Sequence, residues 1–232
     1  MKRIGLIGGV SWAATANYYR TINSMIESQL GGNNSADMVI RSLNMQRTLD
    51  LMANTLELEQ FVRNTAQELI AAGADVIAVG SLTGHRYVRL LRQLDVAFIG
   101  LDDALAEEIR GLKGRVGIFT TGFALSDSGL MTRLHEAGAA PLLTPSPEAQ
   151  SRLDAVIFGE LAHNRLSPEA MATLQDVAGE LIAAGASTIL LGTTEFGVCA
   201  KQLTLGVPAI DATEIHCREL VKFALSGTPF SS

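Results

Sequence analysis

Short apolar runs alternate along the chain with longer stretches whose apolar residues recur every three or four positions. The short runs predict strands at 3–8, 38–43, 75–80 and 96–99, then at 115–120, 140–143, 187–192 and 207–210. Most are apolar at nearly every position, the pattern of parallel strands covered on both faces. The longer stretches predict helices. Leu58, Phe61, Val62, Ala66, Leu69 and Ile70 share one helical face, and Gly73 follows as a stop signal. Leu174, Val177, Ala178, Leu181 and Ile182 repeat that face before Gly185.

The resemblance between these two helices extends to identity. Glu68-Leu-Ile-Ala-Ala-Gly-Ala74 recurs as Glu180-Leu-Ile-Ala-Ala-Gly-Ala186, an offset of 112 residues. The same offset carries Arg3-Ile-Gly-Leu onto Arg115-Val-Gly-Ile and Ser81 onto Thr193, each of the latter just past an apolar run. The pattern predicts an α/β protein of two pseudo-symmetric, doubly wound units, each with a four-stranded parallel sheet and a cleft between them. The units are expected at residues 1–102 plus 211–232, and 103–210. The last helix, from about Thr213 to Leu225, is expected to return to the first unit. The Ser/Gly/Pro tail beyond it is expected to fray.

Composition narrows the function. At 232 residues, the chain allows two cores of roughly 100 residues each. A net charge of −6 argues against a nucleic-acid partner, which usually wants a basic face. No apolar run approaches the ~18 residues of a membrane span. The start Met1-Lys-Arg-Ile-Gly-Leu-Ile-Gly-Gly imitates a signal peptide, but glycines break it and Ser11-Trp12 follow, so a first strand is expected instead. Two cysteines, Cys199 and Cys217, make neither a disulfide framework nor a metal set. A cytoplasmic location fits these features.

Ligands of open parallel sheets bind beyond the carboxyl ends of the strands. Four segments leave such ends here: Gly8-Gly9-Val10-Ser11-Trp12, Gly80-Ser81-Leu82-Thr83-Gly84-His85, Thr120-Thr121-Gly122 and Gly192-Thr193-Thr194-Glu195. Small residues let backbone N–H groups approach an anion, and helix N-termini favour negative charge. Any one such loop is more often a turn or a helix cap. Four at equivalent positions of a duplicated sheet point to a small carboxylate or phosphate ligand.

These residues resemble the cofactor-independent aspartate/glutamate racemase family over nearly the whole chain. The resemblance lies in Ile4-Gly-Leu-Ile-Gly-Gly-Val-Ser-Trp12 with Tyr18-Tyr19-Arg20, and in Ala72-Gly73-Ala74-Asp75 before the third strand. It continues in Ile157-Phe158, in Gly192-Thr-Thr-Glu195 where the family reads G-C-T-E, and in Asp211 and His216. The opening and the G-x-T-E box together are fairly specific. The resemblance implies a cofactor-free, metal-free isomerase acting on a small acidic amino acid, and a homodimer. The helix from Ser11 to Leu30, with Trp12, Tyr18, Tyr19, Ile22, Met25 and Ile26, would offer that dimer an apolar face.

In the family, one cysteine thiolate removes the Cα proton and a facing thiol returns one on the other side. Here Ser81 and Thr193 stand at those two positions, and neither hydroxyl is an adequate base unaided. Leu82 replaces an asparagine that helps hold the substrate, Val10 a methionine, and Ala13-Ala14 the place of an acidic residue. The basic residue often found after Ile157-Phe158 is missing, with His163 and Arg165 nearby. By position, Ser11, Thr15, Thr83, Thr121 and Thr194 could still bond a carboxylate. Arg47 could clamp a side-chain carboxylate, or be a solvated cation at a helix start. His85, Glu195 and His216 are supporting candidates, more readily positioning groups than bases. Cys199, one to two turns into a predicted helix, reads as a small core residue, and Trp12 as packing beneath the first loop. Three readings follow: a racemase-like isomerase with weak or altered turnover, a non-catalytic carboxylate-binding protein, and an altered decarboxylase or isomerase on the same scaffold.

Overall fold

The computed structural model describes residues 1–51, 54–82, 88–126, 128–136 and 141–227. Its first half runs β1 (Ile4–Gly8), α1 (Trp12–Leu30), β2 (Met38–Ser42), α2 (Met45–Leu51), α3 (Thr55–Ala71), β3 (Val76–Val79), α4 (Val88–Leu91), β4 (Ala97–Phe98) and α5 (Leu101–Arg110). The second half runs β5 (Arg115–Phe119), α6 (Gly122–Leu125), α7 (Ser128–Glu136), β6 (Leu142–Leu143), α8 (Pro147–Gly159), α9 (Pro168–Ala183), β7 (Ala186–Leu191), β8 (Ala209–Asp211) and α10 (Ala212–Leu225). Among the described residues the strands form two four-stranded parallel sheets, ordered β2-β1-β3-β4 and β6-β5-β7-β8. The predicted fold class stands. The tail beyond Gly227 lies outside the described residues.

The 112-residue repeat is written in hydrogen bonds as well as letters. Arg3 Nη1 donates to Ala72 O at 3.0 Å, and Arg115 Nη1 to Ala184 O at 2.9 Å. Gly80 N–H donates to Ile7 O at 2.9 Å, and Gly192 N–H to Phe119 O at 2.7 Å. Gly73 and Gly185 both take positive φ, 85° and 99°, to leave α3 and α9. That conformation costs a residue with a Cβ but not glycine, which explains the helix stops seen in the sequence. The correspondence is incomplete. β2 and β6 lie 104 residues apart, because α6 and α7 replace the single long α1 in the first crossover.

Each sheet borrows a covering helix from the other half. Leu101, Leu105 and Ile109 of α5 pack with Val116, Ile118 and Leu190 of the second sheet. Cys217, Leu220, Val221 and Ala224 of α10 pack with Ile4, Leu6, Val76 and Ala78 of the first. The two helices correspond in the repeat and also touch each other. Each fully buried Leu or Ile among them contributes roughly 1.5–3 kcal/mol through burial. The remaining faces are covered locally, by α3 on the first sheet and by α8 and α9 on the second.

Three expectations need correction. Tyr18, Ile22 and Ile26 of α1 are fully buried in the chain's own core, so the apolar stripe faces β1 and α10 rather than outward. Trp12 is 56% exposed and does not pack beneath the first loop. It follows the cap Ser11 directly, on the solvent side of the first turn. Cys199 lies not within an α-helix but between two 3-10 turns, Thr194–Val198 and Ala200–Gln202, although it is buried in the second core.

Candidate functional site

Parallel register brings the carboxyl ends of β3 and β7 to the same side of the molecule. Ser81 is 3% exposed and Thr193 2%, and both line one cavity of about 140 Å³ between the two sheets. Thr121 and Glu195 line it as well. The remaining walls are largely apolar. Val10, Leu49 and Leu58 come from the first unit, and Phe123, Ile157 and Phe158 from the second. Among the described residues lining the cavity, Glu195 is the only ionisable side chain. A larger, open groove of about 600 Å³, lined by Arg20, Lys201, Asp211 and Glu214 among others, includes neither Ser81 nor Thr193.

Glu195 sits in the 3-10 turn that follows β7. Thr193 Oγ1 donates to Glu195 Oε2 at 2.5 Å, and Thr194 Oγ1 reaches the same oxygen at 3.5 Å. Burial pushes the Glu195 carboxyl above its ordinary range, against the hydrogen bonds from Thr193, its own backbone and Thr194. A hydroxyl and a carboxyl thus form a contiguous pair at one wall of the cleft.

The other candidate hydroxyls are engaged locally. Ser11 caps α1, accepting from Ala14 N–H at 3.3 Å and donating to Ala162 O at 3.4 Å. Thr15 Oγ1 accepts from Gly9 N–H at 2.7 Å and donates to Ser11 O at 2.9 Å. Gly9 has φ +83°, and a Cβ there would lie 2.1 Å from Leu43 O, so this turn admits only glycine. Thr121 caps α6 through Ala124 N–H at 3.1 Å while still lining the cavity. Thr194 Oγ1 also bonds Gly80 O at 3.4 Å, joining the two strand-end loops. Arg47 is exposed on α2, its guanidinium 5.0 Å from the centre of the Phe61 ring, and does not line the cavity. Thr83 and His85 lie outside the described residues.

His216 is fully buried on α10, away from the cavity lining. Its Nε2 lies 2.9 Å from Ile99 O, which can only accept, so Nε2 carries the proton. Its Nδ1 then accepts from the Tyr18 hydroxyl at 2.8 Å. The imidazole pins α10 to α1 and to the strand β4 end. Both cysteines are buried, and neither lines the cavity. Burial pushes the Cys199 thiol up to about 12 and the Cys217 thiol well above its usual value.

Two features of the site escaped sequence reasoning. Asp154 on α8 accepts from Gly122 N–H at 3.0 Å, and Gln150 Nε2 donates to Thr120 O at 2.8 Å. Together they clamp the loop after β5 from a neighbouring helix. Their i, i+4 spacing on a helix was the available signal. The second is the apolar wall from α2, α3 and α6, whose residues carry no mark in the sequence that separates them from ordinary core. No group of residues able to hold a metal ion occurs among the described residues, and none of their helices is long and apolar enough to cross a membrane.

Comparison with known proteins gives a consistent picture. The sequence model of the Asp/Glu/Hydantoin racemase family matches residues 7–220. A candidate Asp/Glu racemase from Yersinia pestis is 30% identical, with a TM-score of 0.83 over 97% of this chain and 100% of that one. An aspartate racemase homologue from Pyrococcus horikoshii is 26% identical, with a TM-score of 0.80 over 97% and 99%. The aspartate racemase of Picrophilus torridus, at 20% identity, shares the fold with a TM-score of 0.81 over 97% and 94%.

Proposed function

Because the chain belongs to the Asp/Glu/hydantoin racemase family, we propose that it is a racemase-like isomerase that moves the proton on the carbon beside a substrate carboxylate. The observation that carries this reading is the shared cavity of Ser81 and Thr193, two hydroxyls at equivalent strand ends. A small carboxylate substrate held there would present one face to each. The relatives are aspartate and glutamate racemases by description, which makes acidic amino acids the first substrates to try. The apolar walls and the outward Arg47 make small amino acids with uncharged side chains the second. Turnover is expected to be slow, since each missing acid–base group is typically worth about 10²–10⁴-fold.

A second reading, a carboxylate-binding protein without turnover, is favoured by the hydroxyls at Ser81 and Thr193 and by the burial of both cysteines away from the cavity lining. Homodimer assembly goes with the isomerase reading. Exposed Trp12 and Tyr19 on α1 support it, and sedimentation at micromolar concentration tests it.

The decisive measurement is Cα–H exchange into D₂O, followed by proton NMR for each enantiomer of aspartate, glutamate and norvaline. Slow but measurable exchange supports the isomerase. Brisk exchange of both enantiomers contradicts the expected loss. A probe that binds by calorimetry without any exchange replaces the isomerase with the binding protein.

A further inference from the structure

The cavity between the sheets is graded from floor to mouth. Ser81, Thr121, Thr193 and Glu195, which bring hydroxyls and a carboxyl to its lining, are all buried. Two of the described lining side chains reach the surface, and both are apolar. Leu49 of α2 is 42% exposed and Phe158 of α8 is 47% exposed. A single exposed apolar residue is ordinary on a protein surface. These two come from opposite units to one cavity.

The helix α2 is laid to the same plan. Met45, Thr48 and Leu49, at i, i+3 and i+4, turn to the cavity. Arg47, the one cation in α2, falls off that stripe and lies over the Phe61 ring instead. Leu58 and Val62 of α3 continue the apolar wall on this side, and Ile157 stands beside Phe158 on the other.

Resting on the isomerase reading, we propose that this cleft selects substrates with an aliphatic side chain over acidic ones, and that Leu49 and Phe158 are its specificity-determining residues. The amino-acid head lies deep, at the strand ends, among the hydroxyls. The side chain runs outward between the two units, with Leu49 on one flank and Phe158 on the other.

The physical chemistry separates the two substrate classes. Each methylene buried along this path tightens binding roughly fourfold. A carboxylate on the same path exchanges water for the side chains of Leu49, Leu58, Val62 and Phe158, none of which can hydrogen-bond to it. Taking a charge out of water into such surroundings is costly. The cavity volume of about 140 Å³ keeps the preference to small side chains.

Calorimetry and Cα–H exchange into D₂O test this on the intact chain. The probes are both enantiomers of 2-aminobutyrate and norvaline, set against both enantiomers of aspartate and glutamate. Affinity is expected to rise roughly fourfold from 2-aminobutyrate to norvaline. Norvaline is expected to bind at least ~10-fold tighter than glutamate. Phe158→Ala is expected to weaken norvaline about 4–10-fold, the share of a half-buried ring, with a smaller loss for glutamate. Leu49→Arg sets a guanidinium at the mouth and is expected to reverse the order in favour of glutamate. Damage to the fold would weaken every probe and improve none.

A wild type that binds and exchanges aspartate or glutamate better than norvaline overturns the aliphatic assignment and leaves the isomerase reading standing. Equal losses of norvaline and glutamate in Phe158→Ala, with no gain of glutamate in Leu49→Arg, remove these two residues as the selecting pair. Norvaline bound more tightly than glutamate, with no exchange of any probe, overturns the isomerase reading, and the aliphatic preference then belongs to a binding protein.

Discussion

The ends of β3 and β7 lie 112 residues apart and share one backbone plan. Gly80 and Gly192 donate to Ile7 and Phe119, themselves 112 residues apart, and each glycine is followed by a buried hydroxyl residue. Beyond that the ends diverge. Leu82 follows Ser81 and belongs to a core shared with α5 and β5, whereas Thr194 and Glu195 follow Thr193 and turn a carboxyl onto it. Strand register dictates the backbone, so the geometry survives in both copies. Side-chain chemistry is not bound by register, and among the described residues lining the cleft the titratable group, Glu195, comes from the second copy.

The comparison is sharpened most by restoring what it lacks. Ser81→Cys with Thr193→Cys supplies a thiol to each face and is expected to raise exchange by about 10²–10⁴-fold. Neither single substitution should reach that gain, because each leaves one face without a thiol. A double mutant no faster than wild type would place the lesion in the first loop, at Leu82, and weaken the equivalence of the two ends.

The strands themselves offer a second test. Gly5 and Gly117 correspond in the repeat, and a Cβ at either would crowd the adjacent strand. At Gly5 it would lie 2.8 Å from Ala74 Cβ and 3.1 Å from Val76 O, atoms that cannot swing away. At Gly117 it would meet Ile189 Cδ1 at 2.7 Å and Leu181 Cδ1 at 3.0 Å, the tips of flexible side chains. Both alanine substitutions should destabilise, Gly5→Ala by about 2–3 kcal/mol and Gly117→Ala by about 1–2 kcal/mol. Urea denaturation giving the reverse order would show that the second core is the stiffer one.

The smallest effects separate the two exchanged helices. The start of α5 is tied by partly exposed ion pairs, Asp103 to Arg92 at 2.5 Å and Asp103 to Arg133. α10 is tied by the buried His216–Tyr18 bond. Tyr18→Phe leaves Nδ1 without its donor and is expected to cost about 1–2 kcal/mol at any ionic strength. Asp103→Asn should cost less than about 1 kcal/mol, most of it gone in 0.5 M salt. Thermal melts at low and high salt distinguish the two.

Much of this architecture was legible from residues. The repeated Glu-Leu-Ile-Ala-Ala-Gly-Ala segment gave both helix stops, and continuous apolar runs gave parallel strands, because buried strands need apolar residues on both faces. Periodicity does not name the surface a stripe will meet. Tyr18, Ile22 and Ile26 suited an outside partner as well as an inside one, and the structure turned them inward. For the same reason the apolar residues of α5 did not disclose that they cover the other half's sheet. Equivalence within the repeat put Ser81 and Thr193 at matching strand ends, and both line the cavity between the sheets. Hydroxyl content could not separate groups that face a ligand from groups that close a turn, as Ser11 and Thr15 do. Nor could it show Arg47 over Phe61, a contact between helices that the sequence only lists in order.

The reciprocal exchange of α5 and α10 bears on ancestry. A polypeptide ending near Lys113 would carry the first sheet without the helix that now shields one of its faces, and would hold α5 with nothing of its own to shield. Two such polypeptides could satisfy each other by trading that helix, closing two sheets around one cleft. The present chain has the construction of that pair joined tail to head by gene fusion. Fusion frees the copies from having to stay alike, which symmetry would forbid in a homodimer of halves, and Glu195, whose counterpart in the repeat is Thr83, is the kind of difference that only a fused descendant can hold.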